Sequence, residues 1–370
     1  MLYEELNSYA LFMAIPIAFC FCFLSHDTLS ENKHMRLLLL LYAWLCVSYV
    51  FTWNVAAANG EMRKVLGCFI LSYIVASLAQ RPKNIPWLYI LYCVLLIFTW
   101  KYAYDNIIDD IIFGENRLSD DTLNANHLAY YTFYTTISIF ILGDIISASW
   151  LRQIFRILFC GTLVLSFYTA IFTASRQILI IQIPLFIVLI LYRYIVMNKT
   201  SAFMHISLVV ISIGIAIYAY NQYGQSIYDD SLLKERSSTR IEDDDRMRIA
   251  KEALELSTER PIVGYGPGNA MYNISKHVFT HNTFLELLVN SGYVGMLIFV
   301  FMLFNFLKTQ YNRLRQTRDK TYLIFLIFGL FWLVDQFFYV FYVDLWLISF
   351  FILVATHSDT YYKTHYASLR

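Results

Sequence analysis

The stretch Thr283–Leu307, TFLELLVNSGYVGMLIFVFMLFNFL, decides the fold. It carries one charged side chain, Glu286, and at about 1.5 Å per residue it is long enough to cross a bilayer's hydrocarbon layer as a helix. Its apolar residues run continuously instead of alternating, which argues against a barrel strand. Within lipid only helices and closed barrels satisfy every backbone polar group, so the run reads as a helix. Its leading edge is unusual. His281-Asn282 stands directly before it, Pro261-Ile262-Val263-Gly264-Tyr265-Gly266-Pro267-Gly268-Asn269 comes before that, and Arg246-Met247-Arg248 opens the segment. Arginines, a glycine turn and a histidine thus lie against a membrane helix, which closes its first turns on Gly292-Tyr293-Val294-Gly295.

The rest of the chain has the same apolar character. Its 370 residues are 58% hydrophobic and 15% charged, with mean hydropathy +0.52, too apolar for a soluble globular protein. Further expected spans are Tyr9–Leu24, Leu37–Trp53, Val65–Ala79, Ile85–Trp100, His127–Leu142, Ile157–Phe172, Ile178–Tyr192, His205–Tyr220, Tyr322–Phe338 and Phe341–Ala355. The expectation is an all-α, polytopic membrane protein of about eleven helices (roughly ten to twelve), with residues 1–370 forming one membrane domain. Met1-Leu2-Tyr3-Glu4-Glu5 lacks the basic region and cleavage site of a signal peptide, so the first span is expected to be retained. Six cysteines all fall in expected spans without a Cys-x-x-Cys pair, which points away from disulfides and zinc. A net charge of +1 points away from nucleic acid.

Basic residues orient membrane proteins toward the cytoplasm. The 308–320 loop holds Lys308, Arg313, Arg315, Arg318 and Lys320 and is expected inside, together with Lys33/Arg36, Arg81/Lys83, Arg152/Arg156, Arg193/Lys199 and the tail. Arg63, Lys64, Lys101, Arg117 and Arg176 are left in short outer loops. The N-terminus is then outside and the C-terminus inside. Two outer segments result, an acidic one at 101–126 and a long one at 221–280. A loop as long as the second is usually functional or disordered.

Within that loop, Ile249, Ala253 and Leu256 recur at helical spacing after Glu242-Asp243-Asp244-Asp245, and Pro261 ends the pattern. The acidic run reads as a solvated helix start favoured by the dipole, or less simply as a metal-binding cluster. Gly264–Gly268 looks like a phosphate-binding glycine loop but lacks the preceding strand, so a sharp turn fits better. His281 at a helix N-terminus is expected to stay neutral and able to accept a proton, and the same exposed amides would attract a pyrophosphate. Its plainer reading is an interfacial histidine without a role. Arg176 lies in Thr173-Ala174-Ser175-Arg176-Gln177, the whole connection between two spans, and an ionisable residue near the hydrocarbon is a functional candidate unless it snorkels. Asp335 and Asp344 read as marking a wet outer turn, or else a proton relay.

Taken together these pieces resemble the O-antigen ligase and polymerase family of bacterial membrane glycosyltransferases. The matches are Ser175-Arg176 at an outer helix junction, an arginine ahead of a short helix and Pro-Ile-Val-Gly-Tyr-Gly-Pro-Gly, and His281-Asn282 with Glu286, Gly292 and Gly295. Asn126-His127 is a weaker fourth. The resemblance implies helices around an outward-facing cavity, covered by the long loop, in the bacterial inner membrane. It implies a glycan carried on undecaprenyl pyrophosphate and moved, without metal or cofactor, onto an acceptor glycan or lipid A–core, alongside other polysaccharide-assembly proteins. His281 is then the acceptor-activating base, and Arg176 and Arg246 bind the pyrophosphate. Arg248, Asn282, Glu286, Gly266 and Gly268 are expected to contact substrate. A flippase for lipid-linked sugars would instead place charges at mid-membrane in two related halves, and neither is visible in the sequence.

Overall fold

The computed structural model describes residues 20, 28–112, 125–173, 176–193, 214, 245–275 and 277–366. Among them every regular element is helical. The helices are α1 (Lys33–Tyr49), α2 (Val55–Ala79), α3 (Ile85–Ile112), α4 (Ala125–Ile145), α5 (Ser149–Thr173), α6 (Arg176–Leu191), α7 (Asp245–Glu259), α8 (Thr283–Thr317), α9 (Thr321–Asp335) and α10 (Leu345–Tyr366). The expected spans Tyr9–Leu24 and His205–Tyr220 and most of the 221–244 segment lie outside the described residues, as does Ser175.

Among the described residues three helical segments are long and apolar enough to cross a membrane: Val55–Ala79, Pro82–Thr99 and Thr283–Thr317. Ile180–Leu191 and Thr321–Asp335 are shorter apolar helices. Large apolar side chains face outward on several of them, including Leu66, Trp87, Ile97, Leu297 and Phe304. Water would penalise such a surface and lipid would not.

The chain divides into two compact units, residues 1–85 with 241–370, and residues 86–240. In the first, α10 is the central helix: every residue from Ile348 to Ala355 is buried. It packs on α2, while α8 packs on α1, α7 and α9. Trp332 of α9 stacks on Phe351 of α10 with ring centroids 4.1 Å apart, and Phe306 of α8 meets Phe351 edge-on at 5.2 Å. Polar caps start these helices and join them. The Asn32 carbonyl accepts from the amides of His34 and Met35, and its amide reaches Thr356 of α10 at 2.7 Å. In the second unit α4, α5 and α6 pack on one another, with Phe159 stacked on Phe186.

Several expectations are corrected. Arg63 and Lys64 belong to α2, because Asn54 caps a helix that starts well before the apolar run. Lys308, Arg313 and Arg315 ride on α8, which continues past the apolar run until Arg318 adopts φ 55°. The tertiary reason is that Arg313 is held by Ser358 and Asp359 of α10. Likewise α3 extends to Ile112, so much of the expected outer segment 101–126 is helix. Asp335 is buried at the end of α9, and Asp344 caps α10 by accepting from the amides of Trp346 and Leu347, so the pair does not form a wet turn.

Candidate functional site

The site grows from a break in α8. Gly292 takes φ 67° and ψ −173° inside the helix, which opens the backbone there. The segment after α7 docks into the opening. Tyr293 donates to Pro261 O at 2.7 Å, Tyr265 to Val289 O at 2.8 Å and Gly266 to Asn290 O at 3.0 Å. Backbone meets backbone so closely that a Cβ on Gly292 would lie 2.2 Å from Ile262 O, and one on Gly264 2.5 Å from Val289 O. Both glycines also have positive φ, which side-chain-bearing residues rarely adopt. The two glycine motifs of the sequence are therefore one interlock.

Behind it runs a buried polar chain. Thr280 donates from its amide and its hydroxyl to Glu286 Oε2, both at 2.9 Å. Asn290 Nδ2 donates to Glu286 Oε1 at 3.2 Å and to the Tyr342 hydroxyl at 3.1 Å, and that hydroxyl donates to Glu61 Oε1 at 2.6 Å. The Ala270 amide donates to Asn290 Oδ1 at 2.7 Å, which fixes which way the Asn290 amide points. Asn269 ties the same turn to the start of α2 by accepting from the Asn54 amide at 3.1 Å. Glu61 and Glu286 are both buried. Buried carboxylates persist only when hydrogen-bonded, and each of these is.

His281 sits at the rim of this chain. It is half-buried, with φ 53°, between Thr280 and Asn282. Thr280 is held by Glu286, and Asn282 caps α8 by accepting from the amides of Phe284 and Leu285. A left-handed non-glycine residue costs on the order of 1–3 kcal/mol and persists only where its surroundings over-determine it. The neighbours on both sides meet that condition.

The expected site residues fare differently. Arg246 and Arg248 lie in the first turn of α7, Arg246 half-buried and Arg248 exposed. The buried side of that helix carries Ile249 and Ala253, as the spacing predicts. Arg176 is the first residue of α6 in the second unit; its side chain is outside what is described, as are those of Asn126 and His127. Gly266 and Gly268 are turned inward, packed on Thr52 and on Ala57 and Glu61, with the Gly268 amide on the Glu61 carboxylate. One expectation is overturned: the first amides of α8 are not open to an anion. Thr283 donates to Gln336 O, Phe284 and Leu285 to the Asn282 side chain, and Glu286 to Asn282 O. The reason is partly local, the Asn282 cap, and partly tertiary, since the α9–α10 connection closes the Thr283 amide. Sequence reasoning missed Glu61, Asn290, Thr280, Asn269 and Tyr342. The available signal was a carboxylate and two asparagines lying at the edges of apolar runs. Among the described residues no three His, Cys, Asp or Glu side chains are grouped to hold a metal.

The fold and site define an all-α protein with membrane-length helices and a polar, glycine-locked site at a helix end. The family model described as O-antigen ligase matches residues 161–300, and that segment is similar to the family. The match spans Arg176, Arg246, the glycine interlock and His281. No curated protein matches the chain.

Proposed function

We propose that the chain is a glycosyltransferase that moves a glycan from undecaprenyl pyrophosphate to an acceptor sugar at the outer face of the cytoplasmic membrane, joining O-antigen or capsular repeat units. The observation that carries this reading is His281, held in a left-handed conformation at the end of a membrane-length helix within the matched segment. We take the membrane domain to have about eleven helices, with residues 221–280 as its outer loop.

In this mechanism His281 accepts the proton of the acceptor hydroxyl as it attacks the anomeric carbon, a contribution of roughly 10²–10⁴-fold. The glycosidic bond to the pyrophosphate breaks, and charge develops on the leaving group. Arg176 and Arg246 bind that charge; arginine suits the role because its planar fork is bidentate and stays protonated. Arg248 supplements them. A single displacement inverts the anomeric configuration. Asn282, Glu286, Gly266 and Gly268 act by holding His281 and the glycine turn, since their polar groups are used within the protein.

The test is a membrane reconstitution with a lipid-linked repeat unit, comparing wild type with His281→Ala. Product should fall at least about 100-fold while insertion is unchanged, and normal polymer from the variant would refute the assignment. The second reading, transfer of finished polymer to lipid A–core, is favoured by the family's description as a ligase. Gene deletion separates the two. Loss of long chains with one unit still on core indicates a polymerase. Loss of every unit, with lipid-linked polymer accumulating, indicates a ligase.

A further inference from the structure

A second charged cluster lies in the unit formed by residues 86–240 and is made of residues not assigned to transfer. Arg193 follows the end of α6 and Arg156 lies on α5; both are more than nine-tenths buried. They share one carboxylate. Asp144 Oδ1 is 3.1 Å from Arg193 Nη2 and 3.9 Å from Arg156 Nη2. Arg193 also stacks on the Phe140 ring at 4.4 Å, and its Nη2 reaches Phe140 O at 3.4 Å. Two guanidinium groups against one carboxylate leave a positive charge in excess inside a helical packing.

The donors are in excess too. The carbonyls just after α4 are already taken, since Arg152 donates to Ile146 O and Ser147 O. Arg156 Nε and Arg193 Nη1 are buried with no hydrogen-bond partner among the described residues. A buried cation with unmade hydrogen bonds is costly until an acceptor reaches it. Space for both arginines comes from Gly143, where a Cβ would stand 3.3 Å from Arg193 Nη2 and 3.4 Å from Arg156 Cγ.

The surroundings limit what the acceptor can be. Asp144 is still a fifth exposed, so the cluster opens at the helix ends. On the outer side of α5, Trp150, Ile154 and Ile157 are exposed, an apolar flank that begins with an aromatic residue of the kind enriched at bilayer interfaces. Along α6 about 25 Å of helix separates Arg193 from Arg176, so the cluster and the proposed pyrophosphate ligand lie at opposite ends of one apolar helix.

We propose that the Asp144–Arg156–Arg193 cluster is a binding site for a phosphate group, supplied by a phospholipid headgroup or by free phosphate. Two guanidinium forks match a tetrahedral oxyanion. Asp144 holds them apart and competes with the ligand.

The test uses the full chain in a nonionic detergent, with its thermal unfolding midpoint followed during titration with phosphatidylglycerol, phosphatidylcholine or inorganic phosphate. A stabilisation by phosphatidylglycerol alone identifies an anionic headgroup, and an equal response to inorganic phosphate identifies the free anion. Arg156→Gln and Arg193→Gln should each weaken the apparent affinity about tenfold. Asp144→Asn should strengthen it several-fold, so the proposal stays testable if the arginine variants fold poorly. No response of the wild type to any of the three, or the same affinity in Asp144→Asn as in wild type, overturns it.

Discussion

At the scale of single residues, directional hydrogen bonds define the site more than charge does. Because the Ala270 amide fixes the Asn290 side chain, Asn290 must present donors to Glu286 and Tyr342. Glu286→Gln therefore sets an NH₂ group against a donor at one of its contacts. We expect about 1–3 kcal/mol lost in thermal unfolding, and a fall in kcat with little change in KM because His281 loses its anchor. Tyr342→Phe removes the hydroxyl that donates to the Glu61 carboxylate and accepts from Asn290, and should destabilise by a similar amount, about 1–3 kcal/mol. Tyr265 offers a pH test. Burial, and then its hydrogen bond to Glu259, push its phenol up from 10.0 to about 12. A raised pKa means its contribution to stability is complete below about pH 10 and is lost as pH rises toward 12. A phenolate absorbance titration of wild type against Tyr265→Phe should show one group ionising late; ionisation at the ordinary value would show that the contact with Glu259 does not form.

At the scale of elements, the decisive feature is the junction of the broken α8 with the turn after α7. Either glycine there admits a side chain only by moving backbone. Gly292→Ala and Gly264→Ala should each cost more than about 3 kcal/mol, read as loss of folded protein on expression or as a large fall in Tm. Gly60, inside α2, meets nothing within 4 Å of a built Cβ. Gly60→Ala should be neutral or stabilise by about 0.4–1 kcal/mol. Equal effects at the three positions would contradict the interlock. The elements themselves were largely legible, since α2, α3, α6, α8 and α9 follow continuous apolar runs. Their ends were not. Arg313, Arg63 and Lys64 are charged residues that local reading puts in loops and that distant partners or an upstream cap keep in helices.

At the scale of the whole molecule, the charge asymmetry of the loops gives a testable sidedness. Cysteine introduced at exposed Tyr272 should react with a membrane-impermeant maleimide in intact cells, whereas one at Thr317 should react only after the membrane is opened. The reverse pattern would place the glycine interlock and His281 in the cytoplasm and remove the proposed function. Tyr272 precedes α8 and Thr317 is its last residue, so the two positions report on opposite ends of that helix.

The sequence by itself determined the helical class, the membrane-length runs and the residues that mark the family, because length, apolarity and glycine spacing are local properties of the chain. It also pointed to His281 and the turn before it as a unit. Only the tertiary structure decided that the leading amides of α8 are closed by Gln336 and Asn282, that Glu286 is a buried anchor, and that Glu61 belongs to the same network through Tyr342. Those facts depend on which donor meets which acceptor, from the next turn of chain for Asn282 and Glu286 to a residue 281 positions away for Glu61 and Tyr342. A buried polar group is satisfied by geometry, and its geometry is set by how the helices pack.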